Sequence, residues 1–213
     1  MDPDAVEIRV LGCLIEKQRT TPDQYPLSLN SLRLACNQST NRDPVVDYDE
    51  GTIRSALDRL ARRGWTRLAS GPGSRAAKFR HLLDEALGLT PSQLALLAVL
   101  MLRGPQTLGE LRTRSERLYP FPSGDDVEQT LTALAERELV TRLPKRPGER
   151  EERWQQLLGG DAPPAGEAAV AVAPAAADNE LEDRVARLER EVAELRARLD
   201  RFVTPAASRA EVD

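Results

Sequence analysis

The sequence contains few of the residues on which enzyme active sites, metal sites and disulfide-stabilised folds most often depend. Its 213 residues include two cysteines and a single histidine, His81. One imidazole excludes a multi-histidine metal site, and the sequence has no partners for a Ser-His-Asp or Cys-His arrangement at a recognisable spacing. Two cysteines are too few for a disulfide scaffold, and we expect Cys13 and Cys36 to be small buried residues in helices. The sequence therefore predicts no catalytic residues, no metal site, no cofactor and no enzyme activity.

Long hydrophobic runs are also missing from the sequence. The longest candidate, residues 89–102, is followed by Arg103 and falls short of the roughly 20 residues that cross a bilayer. The N-terminus carries Asp2 and Asp4 and lacks the basic and apolar regions of a secretory signal. Glycine-rich phosphate-binding motifs are absent as well. We therefore expect a cytoplasmic protein without a membrane partner.

The charge is nearly balanced, and the small excess is acidic. Residues 1–88 carry 13 basic and 12 acidic side chains, and residues 89–160 carry 10 of each. Residues 161–213 carry 7 basic and 12 acidic side chains, so the net charge of −4 comes from the C-terminal tail. A nucleic-acid surface on either of the first two segments requires basic side chains to be clustered on one face.

Hydrophobic periodicity in residues 1–88 predicts three helices followed by a hairpin. Apolar residues recur at helical spacing in residues 5–17, 29–36 and 50–63, each after a capping side chain or before a glycine stop. Residues 65–81 contain two short strands around a turn rich in glycine, proline and serine. Three helices and a two-stranded ribbon are the element order of a winged-helix domain.

The same order repeats in residues 89–158. Helices are predicted over residues 91–103 and 108–118, a third begins at Ser123 or Asp125, and residues 139–157 form a second hairpin. The predicted fold class is mainly α with small β-hairpin wings (α+β), as two tandem winged-helix domains.

The C-terminal region differs from both repeats. Residues 159–179 are almost wholly alanine, proline, glycine and valine, which is typical of a linker, and residues 204–213 are predicted to be a disordered tail. Residues 180–203 carry a heptad seam with β-branched and leucine positions that favour a parallel two-stranded coiled coil. The seam residues, and predicted dimerisation residues, are Leu181, Val185, Leu188, Val192, Leu195, Leu199 and Phe202. An amphipathic helix that docks on its own domain is the alternative to a homodimer.

Several long strings in both halves resemble one bacterial family. In the first half they are LGCLIEKQ (11–18), TTPDQYPLSLN (20–30), ACNQ (35–38) and NRDPV (41–45), and in the second MLRGPQT (101–107), GELRTR (109–114) and LPKRPG (143–148). The chain resembles the YceH-like proteins of unknown function over about residues 5 to 158. This resemblance implies a tandem winged-helix fold in a bacterial cytosol, and it implies no activity and no site residues.

The third helix of the first domain is the candidate for entering a DNA groove. In a winged helix this element offers its solvent face to the major groove, and the wing contacts the flanking phosphates. The candidate contacts are Thr52, Arg54, Ser55, Arg59 and Arg62 on the helix, Arg67, Arg75, Lys78 and Arg80 on the wing, and Asn41 and Arg42 in the preceding loop. An ordinary solvated helix with a charged face is the alternative interpretation.

The corresponding helix of the second domain carries the opposite charge. Its outward positions include Asp125, Asp126, Glu128 and Glu136, which phosphates would repel, so we do not expect this helix to enter a groove. Its wing is basic at Lys145, Arg146 and Arg150 and is predicted to contact the DNA backbone.

These observations predict a dimeric DNA-binding protein, a transcriptional regulator in the simplest case, with double-stranded DNA as its partner. The alternative is a non-enzymatic scaffold in which tandem winged helices bind a protein partner. We expect His81 to be a packing or hydrogen-bonding residue, and Trp65 and Trp154 to anchor the two hairpins on their helices.

Overall fold

A computed structural model describes residues 2–69, 77–145, 148 and 151–159. The heptad helix and the tail lie outside the described residues, as does all but the first residue of the linker. The predicted dimerisation residues outside them are Leu181, Val185, Leu188, Val192, Leu195, Leu199 and Phe202. The predicted domain boundaries and the homodimer stay predictions.

The described part of residues 2–88 contains four helices and one three-stranded antiparallel sheet. The elements are α1 (Ala5–Thr20), a 3₁₀ turn (Pro22–Gln24), β1 (Leu27–Ser28), α2 (Leu29–Cys36), α3 (Glu50–Arg62), β2 (Thr66–Leu68), β3 (Lys78–His81) and α4 (Leu83–Leu87). The strand order is β1-β3-β2. Helix α1 continues three residues beyond its predicted end, and β1 and α4 were not predicted.

Side-chain caps explain where the helices of this half begin. Asp4 and Glu7 form a capping box at α1, Ser28 accepts from the third residue of α2, and Asp49 does the same at α3. Helix α3 buries the predicted stripe of Ile53, Ala56, Leu57 and Leu60. The opposite face of α3 therefore remains available to solvent.

Residues 89–159 repeat this order with three helices and a two-stranded antiparallel sheet within the described part. The elements are α5 (Pro91–Arg103), α6 (Leu108–Ser115), α7 (Gly124–Ala135), β4 (Val140–Leu143) and β5 (Arg153–Gln156). Capping boxes begin all three helices, at Thr90, Thr107 and Ser123. Helix α6 ends at Ser115, so the prediction of helix as far as residue 118 is wrong.

The two halves pack together through α1 and α5. Gly12 of α1 lies so close to α5 that a Cβ there would be 3.0 Å from the Leu102 side chain. Helix α5 is buried continuously from Leu94 to Leu102, which explains why its sequence is apolar on all sides. In addition, the Asp43 backbone N–H donates to the Leu102 carbonyl at 2.8 Å. A single hydrophobic core thus runs through both halves.

The observed fold class is α+β, with helices and small antiparallel sheets. Across the described ranges, the helices are too short or too polar to cross a membrane.

Candidate nucleic-acid interface

The solvent face of α3 carries the predicted groove-facing residues. Arg54, Ser55 and Arg62 are exposed, and Thr52 is half-buried in the first turn, where Asp49 caps its backbone N–H. Arg54 and Arg62 form no ion pair with any residue in the described part of the chain. They lie eight positions apart along α3, so they span about 12 Å of the helix on its exposed side. Both guanidinium groups are therefore available to an anionic partner.

Arg59 lies at the edge of the same face but is occupied by carboxylates of α1. Its guanidinium group lies 2.6 Å from Asp4 Oδ2 and 3.1 Å from Glu7 Oε2. The hydrogen bond with Glu7 raises the pKa of Arg59 above its usual value. Because two acids already balance its charge, Arg59 holds α3 against α1 and contributes little attraction for phosphate.

Arg42 is buried, which contradicts its predicted exposure in the loop before α3. Its side chain is 0% exposed. The guanidinium group donates two hydrogen bonds to the Glu16 carboxylate, and the shorter one joins Nη2 and Oε2 at 2.6 Å. Its Nε donates to the Ala35 carbonyl at 3.0 Å. Burial alone lowers the pKa of Arg42, but the hydrogen bond with Glu16 and nearby negative charge outweigh it and raise the pKa. Arg42 therefore ties the loop to α1 and α2 and does not reach a DNA backbone.

The strands after α3 supply two free basic side chains. Arg67 of β2 and Lys78 of β3 are exposed and make no ion pair with the described residues. Arg80, which lies opposite Arg67 in the sheet, is instead paired with Glu85 at 2.5 Å. Asn41 is exposed, and its side-chain oxygen accepts from Arg103. Arg75 lies outside the described residues.

In the second half, the third helix shows the predicted acidic face. Asp125, Glu128 and Glu136 are exposed, and Glu128 is paired with Arg142 of β4 at 3.1 Å. The Arg142 guanidinium group stacks 4.8 Å from the ring centroid of the buried Trp154. In the wing, Lys145 is exposed, and Arg146 and Arg150 lie outside the described residues.

The predictions for the rarer side chains are confirmed. Cys13 and Cys36 are free and buried in α1 and α2. His81 is buried, with Nε2 2.7 Å from Gln18 Oε1, and its backbone N–H donates to the Tyr25 hydroxyl at 2.9 Å. Burial lowers the pKa of His81 to about 4.

Sequence reasoning missed a second basic cluster, which lies between the two halves. Arg103, Arg114 and Arg117 line one cavity together with residues of α1. No periodicity marks this cluster, because tertiary packing of α1, α5 and α6 brings it together.

The geometry defines an α+β chain with a basic face on one third helix and an acidic face on the other. Residues 4–149 match a family model described as "Protein of unknown function, DUF480". The chain belongs to this family, and the bacterial family of unknown function identified from the sequence is confirmed.

Proteins called UPF0502 protein are similar over most of this chain. The protein from Solibacter usitatus is 49% identical over 93% of this chain and 95% of its own length. The protein from Geotalea uraniireducens is 52% identical over 90% of this chain and 89% of its own length. The protein from Pectobacterium atrosepticum is 46% identical over 92% of this chain and 95% of its own length.

Proposed function

We propose that this protein binds double-stranded DNA through α3 and the β2-β3 ribbon, as a transcriptional regulator built on two tandem winged helices. In this proposal α3 enters the major groove, and the ribbon contacts the flanking phosphates. Helix α7 stays outside the groove because its exposed carboxylates repel phosphate. The homodimer predicted from the heptads doubles the footprint through effective concentration.

The element order supports the winged-helix interpretation. Helices α1, α2 and α3 are followed by the antiparallel pair β2-β3, and α5, α6 and α7 by the pair β4-β5. The added strand β1 pairs with β3 and lies directly before α2. Its pairing fixes the ribbon relative to the helices.

The observation that carries the proposal is the presence of unpaired cations on α3 and the adjoining ribbon. The basic residues there that have no carboxylate partner within the described residues are Arg54, Arg62, Arg67 and Lys78. The hydroxyl of Ser55 adds a hydrogen-bonding group on the same helix, whereas the Thr52 hydroxyl is hydrogen-bonded to Asp49. Arginine suits guanine edges and phosphate oxygens, so this set matches both kinds of contact.

Fluorescence anisotropy of the full chain with random-sequence duplex DNA, over a salt series, tests the proposal. We expect affinity to fall steeply as salt rises, because each neutralised phosphate releases counterions. The double variant R54Q/R62Q is expected to lower the magnitude of the log-log salt slope by about two. The control variant R112Q/R137Q removes the same charge from exposed positions of the second half and is expected to leave the slope unchanged.

Three exposed apolar side chains support the alternative function, a protein-binding scaffold. Leu34 of α2, Val45 of the following loop and Leu68 of β2 are each more than half exposed. The same titration discriminates the two functions. The absence of DNA binding at low salt, or equal slopes for the two double variants, would overturn the DNA proposal.

A further inference from the structure

The second basic cluster lines a cavity of about 340 Å³ between α1, α5 and α6. Glu16 and Thr20 of α1 line one side of the cavity, and Arg103 at the end of α5 lines another. The third side is formed by Thr113, Arg114, Glu116, Arg117 and Leu118. This volume is at the lower end of the range for small-molecule sites. The cavity lies between the two halves at the surface of the protein, and its lining includes no residue of α3.

Positive charge inside this cavity exceeds what its carboxylates neutralise. Arg103, Arg114 and Arg117 line it together with Glu16 and Glu116. Glu16 is already held by Arg42 at 2.6 Å, so it offers little charge to the cavity, and Glu116 offsets one of the three positive charges. Arg117 is exposed and has no ion-pair partner in the described part of the chain. The cavity is therefore attractive to an anion.

A third carboxylate near this cluster, that of Glu110, is shared between two arginines. Glu110 lies 3.3 Å from Arg114 and 3.2 Å from Arg153, and it also accepts from the Thr107 backbone N–H at 2.9 Å. Burial lowers the pKa of Arg103, and repulsion from Arg114 and Arg42 lowers it further. Arg103 thus lies among cations, and its observed partner is the neutral Asn41 side chain.

We propose that this cavity binds a small organic phosphate, with Arg103, Arg114 and Arg117 around the phosphate group. The three guanidinium groups provide donors from several directions, which suits a tetrahedral dianion. The hydroxyls of Thr20 and Thr113 also line the cavity, but they donate to the carbonyls of Glu16 and Gly109. A planar carboxylate is satisfied by a single guanidinium fork and leaves the other donors unused.

The apolar floor of the cavity indicates that the ligand has an organic part. Val99, Leu102 and Leu118 line the cavity beside the arginines. Val99 and Leu102 belong to the helix that packs on α1, so a bound ligand touches both halves of the protein. Binding at this position stabilises the packing of α1 against α5 and α6.

Isothermal titration calorimetry of the full chain, at constant ionic strength, tests the site with phenyl phosphate, inorganic phosphate and benzoate. We expect phenyl phosphate to bind most tightly, since it combines the dianion with an apolar ring. R117Q and R103Q are each expected to weaken phenyl phosphate binding by about tenfold or more. The control variant R137Q removes an exposed arginine that lies outside the cavity and is expected to leave the affinity unchanged.

Two results would overturn the site itself. One is the absence of binding heat at millimolar phenyl phosphate, and another is equal affinity of the wild type and R117Q. Because Arg117 is exposed, R117Q is expected to fold, and far-UV circular dichroism verifies this. Benzoate binding as tightly as phenyl phosphate, or inorganic phosphate doing so, would overturn the ligand class. DNA binding is measured separately, so neither result decides the other.

Discussion

Residues 2–88 and residues 89–159 have the same order of three helices and a ribbon, but their third helices present opposite charges. Helix α3 exposes Arg54 and Arg62, whereas α7 exposes Asp125 and Glu128. The shared features are the caps and the buried stripes, which determine where helices begin and which face packs. The solvent face is under no such constraint. Similar folding signals therefore leave room for different functions in the two halves.

The loops before the third helices differ in how an arginine holds them. Arg42 is fully buried and paired with Glu16, whereas Arg112 is exposed and donates to the Pro122 carbonyl at 3.2 Å. Removing Arg42 leaves the carboxylate of Glu16 without its partner, and we expect R42A to lower the free energy of unfolding by about 3 to 5 kcal/mol. We expect R112A to change it by less than about 1 kcal/mol.

Urea denaturation of the two variants at neutral pH, followed by circular dichroism, gives this comparison directly. R112A is the matched control, since it removes an arginine of α6 that contacts the corresponding connection at Pro122. Equal losses in the two variants would mean that burial of Arg42 does not distinguish the halves.

The ends of the two ribbons differ in a titratable group. His81 pairs with Thr66 at the end of β3, and Gln156 pairs with Val140 at the same place in β5. Burial lowers the pKa of His81 to about 4, against a partial opposing effect of Asp84. The unfolded chain, with an ordinary histidine pKa of about 6.5, takes up the proton first. The contribution of the neutral His81 ring to the free energy of unfolding is therefore fully present above pH 6.5, and it is lost as the pH falls toward 4.

The variant H81Q makes the first ribbon resemble the second and is expected to remove this dependence. The wild type is expected to lose about 3 kcal/mol more than H81Q between pH 6.5 and 4. Urea denaturation over that range measures the loss in both proteins. Carboxylates that titrate in the same pH range are present in both proteins, so their effect cancels in the comparison. If the free energy of unfolding falls equally with pH in both proteins, the low pKa of His81 is wrong.

Local signals in the sequence predicted the helices well but did not predict which arginines are free. The stripe of Ile53, Ala56, Leu57 and Leu60 is buried as the spacing predicts. Arg59 lies on the exposed side by the same spacing, yet its partners Asp4 and Glu7 come from α1, more than 50 residues away. Helical periodicity carries no information about a contact between distant segments.

Two further differences have the same origin. Strand β1 has only two residues, Leu27 and Ser28, which is too short for an alternating pattern, and it forms because β3 supplies a partner. The cavity between α1, α5 and α6 depends on how the halves pack, so its arginines resembled ordinary surface residues in the sequence. Of the candidate DNA contacts, the exposed arginines of α3 were predictable from spacing, whereas the burial of Arg42 was not.

The smallest expected difference between the halves is in the stability change when a helical glycine is replaced by alanine. The two positions are Gly12 in α1 and Gly109 in α6. A Cβ at Gly12 would lie 3.0 Å from the Leu102 side chain and 3.1 Å from Met101 Cβ, whereas a Cβ at Gly109 would meet no atom within 4 Å. Alanine gains about 1 kcal/mol over glycine in a helix, but crowding a packed core costs about 1 to 3 kcal/mol. Because Leu102 is itself buried and has little room to move, we expect G12A to be destabilising by about 1 kcal/mol.

G109A is expected to raise stability by about 0.4 to 1 kcal/mol, since the new methyl group meets open space and the unfolded chain loses conformational freedom. Urea midpoints of the two variants at neutral pH are therefore expected to shift in opposite directions. A stabilised G12A would show that α5 yields to a methyl group, which requires the contact between the halves to be looser than the distances at Gly12 imply. Opposite signs, in contrast, follow only if close packing of α1 on α5 outweighs the helix preference that both positions share.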